Sequence, residues 1–125
     1  MTKILFVTTA VIESATGLAL VVSPSLVAVL LLGGSPTTAV GMTVARVAGS
    51  ALVALAIACW QARSDTQSRA ARGLVTAMLF YNAAAIMVLV YAAVGLTLSG
   101  IALWPAVLLH TVLAIFCITS LQSHR

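Results

Sequence analysis

Apolar residues run along this chain in four long stretches, broken by short Gly, Pro and Ser clusters and by a single polar segment. That pattern predicts helices that cross a bilayer, because each stretch exceeds the roughly 18 apolar residues that mark a spanning segment. The spans are expected at about residues 4–22, 38–61, 73–96 and 103–121. Ser23-Pro24-Ser25 ends the first and offers an N-cap with proline at the next helix start. A short helix over 25–32 then stops at Gly33-Gly34. Its apolar run from Leu26 to Leu32 is too short to span, so it is either interfacial or a kinked continuation of the first span. Arg63 to Arg72 reads as a solvated loop, and Thr97-Leu98-Ser99-Gly100 as a turn. Pro105 falls in the first turn of the last span, where a missing amide costs nothing.

The expectation is a single all-α domain over residues 1–125, a polytopic four-helix membrane bundle. Composition agrees: 62% of the residues are hydrophobic and 6% charged, whereas soluble domains carry about 25% charge. Four spans use nearly the whole chain, which leaves no room for a soluble catalytic domain or a nucleic-acid platform. The net charge of +4 is a topology signal. Lys3, the Arg63, Arg69 and Arg72 loop, and Arg125 flank spans on one side, while the other two loops carry no Lys or Arg. The positive-inside rule therefore puts both termini in the cytoplasm, and a bacterial cytoplasmic (inner) membrane is the expected location. Trp60 falls at the inner boundary, and Trp104 and Tyr91 near the outer one. Lys3 followed by an apolar run could also open a signal peptide, but Glu13 lies inside the run and no small-x-small cleavage site follows. Cys59 and Cys117 lack CxxC spacing and read as packing residues.

Chemistry would have to come from the polar residues within the spans, each costly in hydrocarbon. They are Glu13, Arg46, Asn82 and His110, one per span. Counted from the span ends at about 1.5 Å per residue, they reach one midplane layer. Their neighbours are small: Thr9, Thr16 and Gly17 beside Glu13, Gly41, Ala45 and Gly49 beside Arg46, Ala83 to Ala85 after Asn82, and Ala106, Ala114 and Cys117 along the His110 face. Small residues let helices approach, so the layer is expected inside the bundle. A lone Arg or Glu at a helix centre costs about 2.5–3.5 kcal/mol, and an opposite charge about 4 Å away returns a similar amount at an intermediate dielectric. A Glu13–Arg46 ion pair is the expected arrangement, with Asn82 and His110 satisfying leftover donors and acceptors. A haem held by two histidines is excluded, since His124 is at the cytoplasmic end. No Ser-His-Asp set, P-loop, metal-ligand cluster or paired carboxylates appears, so a reaction would need a cofactor, of which the sequence names none, or a partner subunit.

Glu13-Ser14-Ala15-Thr16-Gly17-Leu18 together with Ala45-Arg46-Val47-Ala48-Gly49 resembles the DoxX-like group of small four-helix membrane proteins. The resemblance covers the first two spans and implies Glu13 and Arg46 as a shared polar pair, with links to quinone-associated redox or sulfur oxidation. Length, four spans and a glutamate in the first span also resemble small multidrug exporters. Arg46 within the membrane, the strong charge bias and the missing aromatic cage of spans two and three depart from that pattern. Three readings follow. The layer binds a small lipophilic or amphipathic ligand, quinone-like or with an anionic headgroup; or Glu13 serves a proton-coupled exporter; or the layer is purely structural. The bilayer is the expected partner, with a second copy or another membrane subunit beside it and no nucleic acid.

Overall fold

The structure is a computed structural model that describes residues 1–123. His124 and Arg125 lie outside the described residues, and with them the sequence arguments that rest on those two. The fold is all-α and 81% helical. Its helices are α1 (Thr2–Val22), α2 (Pro24–Leu32), α3 (Ala39–Ala62), α4 (Arg69–Val94) and α5 (Leu103–Gln122). All but α2 are long and apolar enough to cross a membrane.

Local sequence explains the breaks. The residue before a proline is driven out of helical geometry, and Ser23, at φ −138° and ψ 69°, ends α1 while Pro24 opens α2. Gly33 stops α2 in the left-handed conformation at φ 75°, where a glycine carries no Cβ penalty. The Thr38 side chain caps α3 by accepting from Gly41 N–H at 3.0 Å. The Ser68 hydroxyl caps α4 by accepting from Ala71 N–H at 3.1 Å. That second cap corrects the expected start of the third span. Arg69 and Arg72 form the first turn of α4 and do not belong to a loop. Polarity there reports solvation, which a helix end tolerates as well as a loop.

α2 is a helix in its own right, distinct from α1, and it is docked. Gly100 N–H donates to the Leu31 carbonyl at 3.2 Å and Ala102 N–H to the Leu30 carbonyl at 2.8 Å. The loop before α5 thus satisfies carbonyls that the end of a helix leaves without partners.

The spans pack as two close pairs, α1 with α3 and α4 with α5, and α3 and α4 barely touch. The first pair crosses at Gly17 and Gly49. A Cβ on Gly17 would lie 2.7 Å from the Gly49 carbonyl oxygen, and one on Gly49 would lie 2.6 Å from the Gly17 oxygen. Only glycine allows two helix backbones so close. At the end bearing the 63–68 loop all four spans converge on a buried apolar core that includes Phe6, Cys59, Val75, Met78, Leu113 and Cys117. Both cysteines are free and buried there, with Cys59 Sγ 3.6 Å from Met78 Sδ. The outer surface is apolar too, with Phe80, Val94 and Ile101 largely exposed, as expected when the solvent is lipid. Trp60 marks one end, its ring 4.0 Å from the Arg63 guanidinium carbon, and exposed Tyr91 and Trp104 mark the other. Toward the α2 end the two pairs diverge, and a cavity lies between them.

Candidate functional site

This cavity has a volume of about 520 Å³ and is lined almost wholly by aliphatic side chains. Leu20 and Leu52 come from the α1/α3 pair, Val88 and Leu89 from α4, and Val27, Leu30 and Leu31 from α2, which forms its roof. Glu13, Thr16, Tyr81 and His110 supply its polar groups. They stand at the depth where the apolar core gives way to the opening.

Glu13 is 2% exposed. Its Oε2 accepts a long hydrogen bond from the Tyr81 hydroxyl, at 3.4 Å. Its Oε1 is buried and has no hydrogen-bond partner among the described residues. Nearly all buried polar atoms have partners, and leaving one without costs about 1–3 kcal/mol, more for a charged group. An orphaned carboxyl oxygen in a cavity wall is therefore the feature of this fold that most needs a second molecule. Thr9 Oγ1, one turn away along α1, is likewise without a partner.

Asn82, 1% exposed, sits on α4 next to Tyr81. Its Nδ2 donates to the Met78 carbonyl one turn back, at 2.8 Å. A carbonyl can only accept, so the amide nitrogen is fixed on that side and Oδ1 faces His110 Nδ1, also at 2.8 Å. Oδ1 in turn can only accept, which makes Nδ1 the donor. In the neutral imidazole the lone pair then belongs to Nε2. The Tyr81 ring meets the His110 ring edge-on, with centroids 5.5 Å apart at 83°. Consecutive residues on a helix point about 100° apart. Asn82 thus serves α5 while Tyr81 reaches Glu13 on α1, and the two contacts tie three spans together.

Arg46 does not join this group, which corrects the expected ion pair. No ion pair forms among the described residues. Arg46 is exposed on α3, and its Nε donates to the Val21 carbonyl at 3.2 Å. Both facts follow from the glycine crossing. Glu13 lies four residues to one side of it on α1, and Arg46 three residues to the other side on antiparallel α3, so they are separated by about 10 Å of helix axis at 1.5 Å per residue. Arg46 instead reaches the end of α1 at Val22, where the last carbonyls of the helix, Val21 among them, have no intrahelical partner. A guanidinium N–H is an effective donor to a carbonyl left over at that end.

Of the polar residues anticipated from sequence, the fold gathers Glu13, Asn82 and His110 and leaves Arg46 outside. Tyr81 is the one that sequence reasoning missed. Its signal was position: a tyrosine in the middle of a span, away from either aromatic belt, needs a partner for its hydroxyl. Thr16 and Ala106, expected on the interior faces of their helices, do line the cavity. Among the described residues no cluster of three His, Cys, Asp or Glu could hold a metal ion. What the arrangement can do is accept hydrogen bonds, through Glu13 Oε1 and the free nitrogen of His110, from a molecule whose remainder is apolar. No protein-family model, curated protein or solved structure matches this chain, so the likeness to the DoxX-like group rests on its short sequence motifs alone, and the pair that likeness implies is not formed.

Proposed function

We propose that this small four-span membrane protein binds a lipophilic or amphipathic small molecule in the cavity walled by Glu13, Tyr81 and His110. The observation that carries this reading is the buried, unpartnered Oε1 of Glu13 in an otherwise aliphatic pocket. A cavity of this size, mostly apolar with a few convergent polar groups, has the character of small-molecule sites in general. Glu13 Oε1 and the free nitrogen of His110 are acceptors, and among the described residues no Lys or Arg lines the cavity, so an anionic headgroup has no counter-charge here. A ring bearing hydroxyl donors, as in a reduced quinone-like head, matches the groups available. Asn82 acts behind the site by fixing the His110 ring, and Arg46 supports the α1/α2 break. Arg46 also stands on the outer face of α3, where a second copy or another membrane subunit could cover its remaining donors, in keeping with the rarity of charges facing lipid.

The test is extraction of small molecules from protein purified in nanodiscs, followed by mass spectrometry. A compound retained by the wild type and by Arg46→Gln, but lost from Glu13→Gln and His110→Phe, is the expected result. Equal retention by all four proteins would end the proposal.

One observation favours the exporter reading as the alternative. Among the described residues Glu13 has no ion-pair partner, which removes the objection that Arg46 occupies it. Against it stands the packed core between the cavity and the 63–68 end. Resistance of cells to lipophilic cations that vanishes with Glu13→Gln would establish that alternative in place of simple binding.

A further inference from the structure

A second apolar hollow of about 660 Å³ adjoins the first, and both are lined by Leu20, Val27, Leu31, Val88 and Leu89. It lies in the gap that α3 and α4 leave between them at the α2 end. Along α3 its wall is Gly41, Ala45 and Ala48, which keep the gap wide, and its rim includes the exposed Val44 and Tyr91. The ionisable groups, Glu13 and His110, lie in the first cavity, whereas the second hollow is aliphatic apart from Ser35 and Tyr91. The hollow therefore has the form of a side passage: polar at its closed end, aliphatic along its length, and open toward the acyl chains through the surface between α3 and α4.

We infer that the ligand is a single-chain lipid whose hydroxyl-bearing head is held at Glu13 while its tail passes sideways between α3 and α4 into the bilayer. This inference rests on the binding reading above and adds to it the class of molecule and the route of entry. A head that donates hydroxyls satisfies Glu13 Oε1, which the protein itself leaves without a donor. A tail needs an unbroken apolar path, and the residues shared by the two hollows provide one. The two volumes together exceed what a small head alone would fill. The lateral path also explains why α2 can be hydrogen-bonded shut over the top through Leu30 and Leu31 without sealing the site. The molecule arrives from the membrane and not from water.

The experiment uses the full chain in nanodiscs and a decylhydroquinone carrying a diazirine at the end of its tail. Photolabelling that excess decylhydroquinone competes away is expected on peptides of α3 around residues 41–48 and of α4 around residues 88–92. Ala48→Phe, which fills the passage from an exposed position, should reduce competed labelling about tenfold while methylhydroquinone still binds saturably at the head. Ala45→Leu provides the same test in a second place. Glu13→Gln, which replaces one carboxyl oxygen with an amide NH2, should weaken both compounds about tenfold, as loss of one hydrogen bond does. Competed labelling on α1 and α5 instead, with methylhydroquinone binding intact, would overturn the lateral route and leave the cavity reading standing. Stronger competition by decylammonium than by decylhydroquinone would overturn the hydroxyl head. Absence of saturable binding by either hydroquinone would overturn this inference together with the reading beneath it.

Discussion

Asn82 Oδ1 lies 2.8 Å from His110 Nδ1, and this contact decides which face of the imidazole is left for a ligand. Because Asn82 is itself oriented by the Met78 carbonyl, the proton of the neutral ring is assigned to Nδ1. Nitrogen-15 NMR of histidine-labelled protein should show a protonated Nδ1 and an unprotonated Nε2 for His110. Asn82→Ala should turn that signal into a mixture of tautomers. A dominant Nε2–H form in the wild type would contradict the network.

Thermodynamic coupling separates the contacts that exist from the one that does not. Glu13 and Arg46 lie on opposite sides of the Gly17–Gly49 crossing, so a Glu13→Gln, Arg46→Met double-mutant cycle in detergent should be additive within about 0.5 kcal/mol. The Asn82→Ala, His110→Phe cycle should instead show coupling of about 0.5–3 kcal/mol, as for residues in one hydrogen-bonded network. Strong coupling in the first cycle would mean that the two charges meet.

The crossing itself predicts an asymmetry among glycines. Gly49→Ala puts a methyl group 2.6 Å from a backbone oxygen that cannot move without moving α1, and overpacking of this kind costs about 1–3 kcal/mol. Gly73 sits in α4 with nothing within 4 Å of the Cβ position. Gly73→Ala should therefore be neutral or stabilising by up to about 1 kcal/mol, as alanine is in helix interiors. Melting temperatures of the two variants, measured side by side, check both statements.

Much of this architecture is legible in the sequence, because span length and apolarity answer directly to bilayer thickness. Ser23-Pro24 and Gly33 likewise act through backbone geometry alone, so α2 could be read in place. Depth along a helix was legible for one pair and not for the other: counting from span ends brought Asn82 and His110 to one level, and they touch, but it also set Glu13 level with Arg46, which the helix crossing separates by about 10 Å. Azimuth and register between helices were not. Arg46 looked interior because it shares a helix with Gly41, Ala45 and Gly49, yet Gly49 is buried against α1 while Arg46 is exposed and reaches only the end of α1 at Val21. Two residues can each lie near the midplane and still miss one another by two helical turns, since their relative height is set by where the helices cross. Tyr81 was missed for a different reason, since its hydroxyl carries no charge to mark it among the apolar residues of its span.

The distribution of Lys and Arg predicts that the α2 end lies outside. A reporter inserted at Gly34 should be active only on the external side, and one fused after the last residue only in the cytoplasm. The reverse result would turn the cavity mouth toward the cytoplasmic leaflet.

The central claim is that the polar wall of the cavity receives a ligand. Titrating methylhydroquinone into labelled protein in nanodiscs, while following the His110 Nε2 resonance and the Glu13 side-chain carboxyl carbon, addresses it most directly. Saturable shifts at both nuclei with a common dissociation constant are expected, with the Arg46 guanidinium signals unchanged and the dissociation constant read at His110 about tenfold higher in the Glu13→Gln protein. Shifts that grow linearly with concentration, or that appear equally in Glu13→Gln, would mean that the cavity is a feature of packing and holds no ligand.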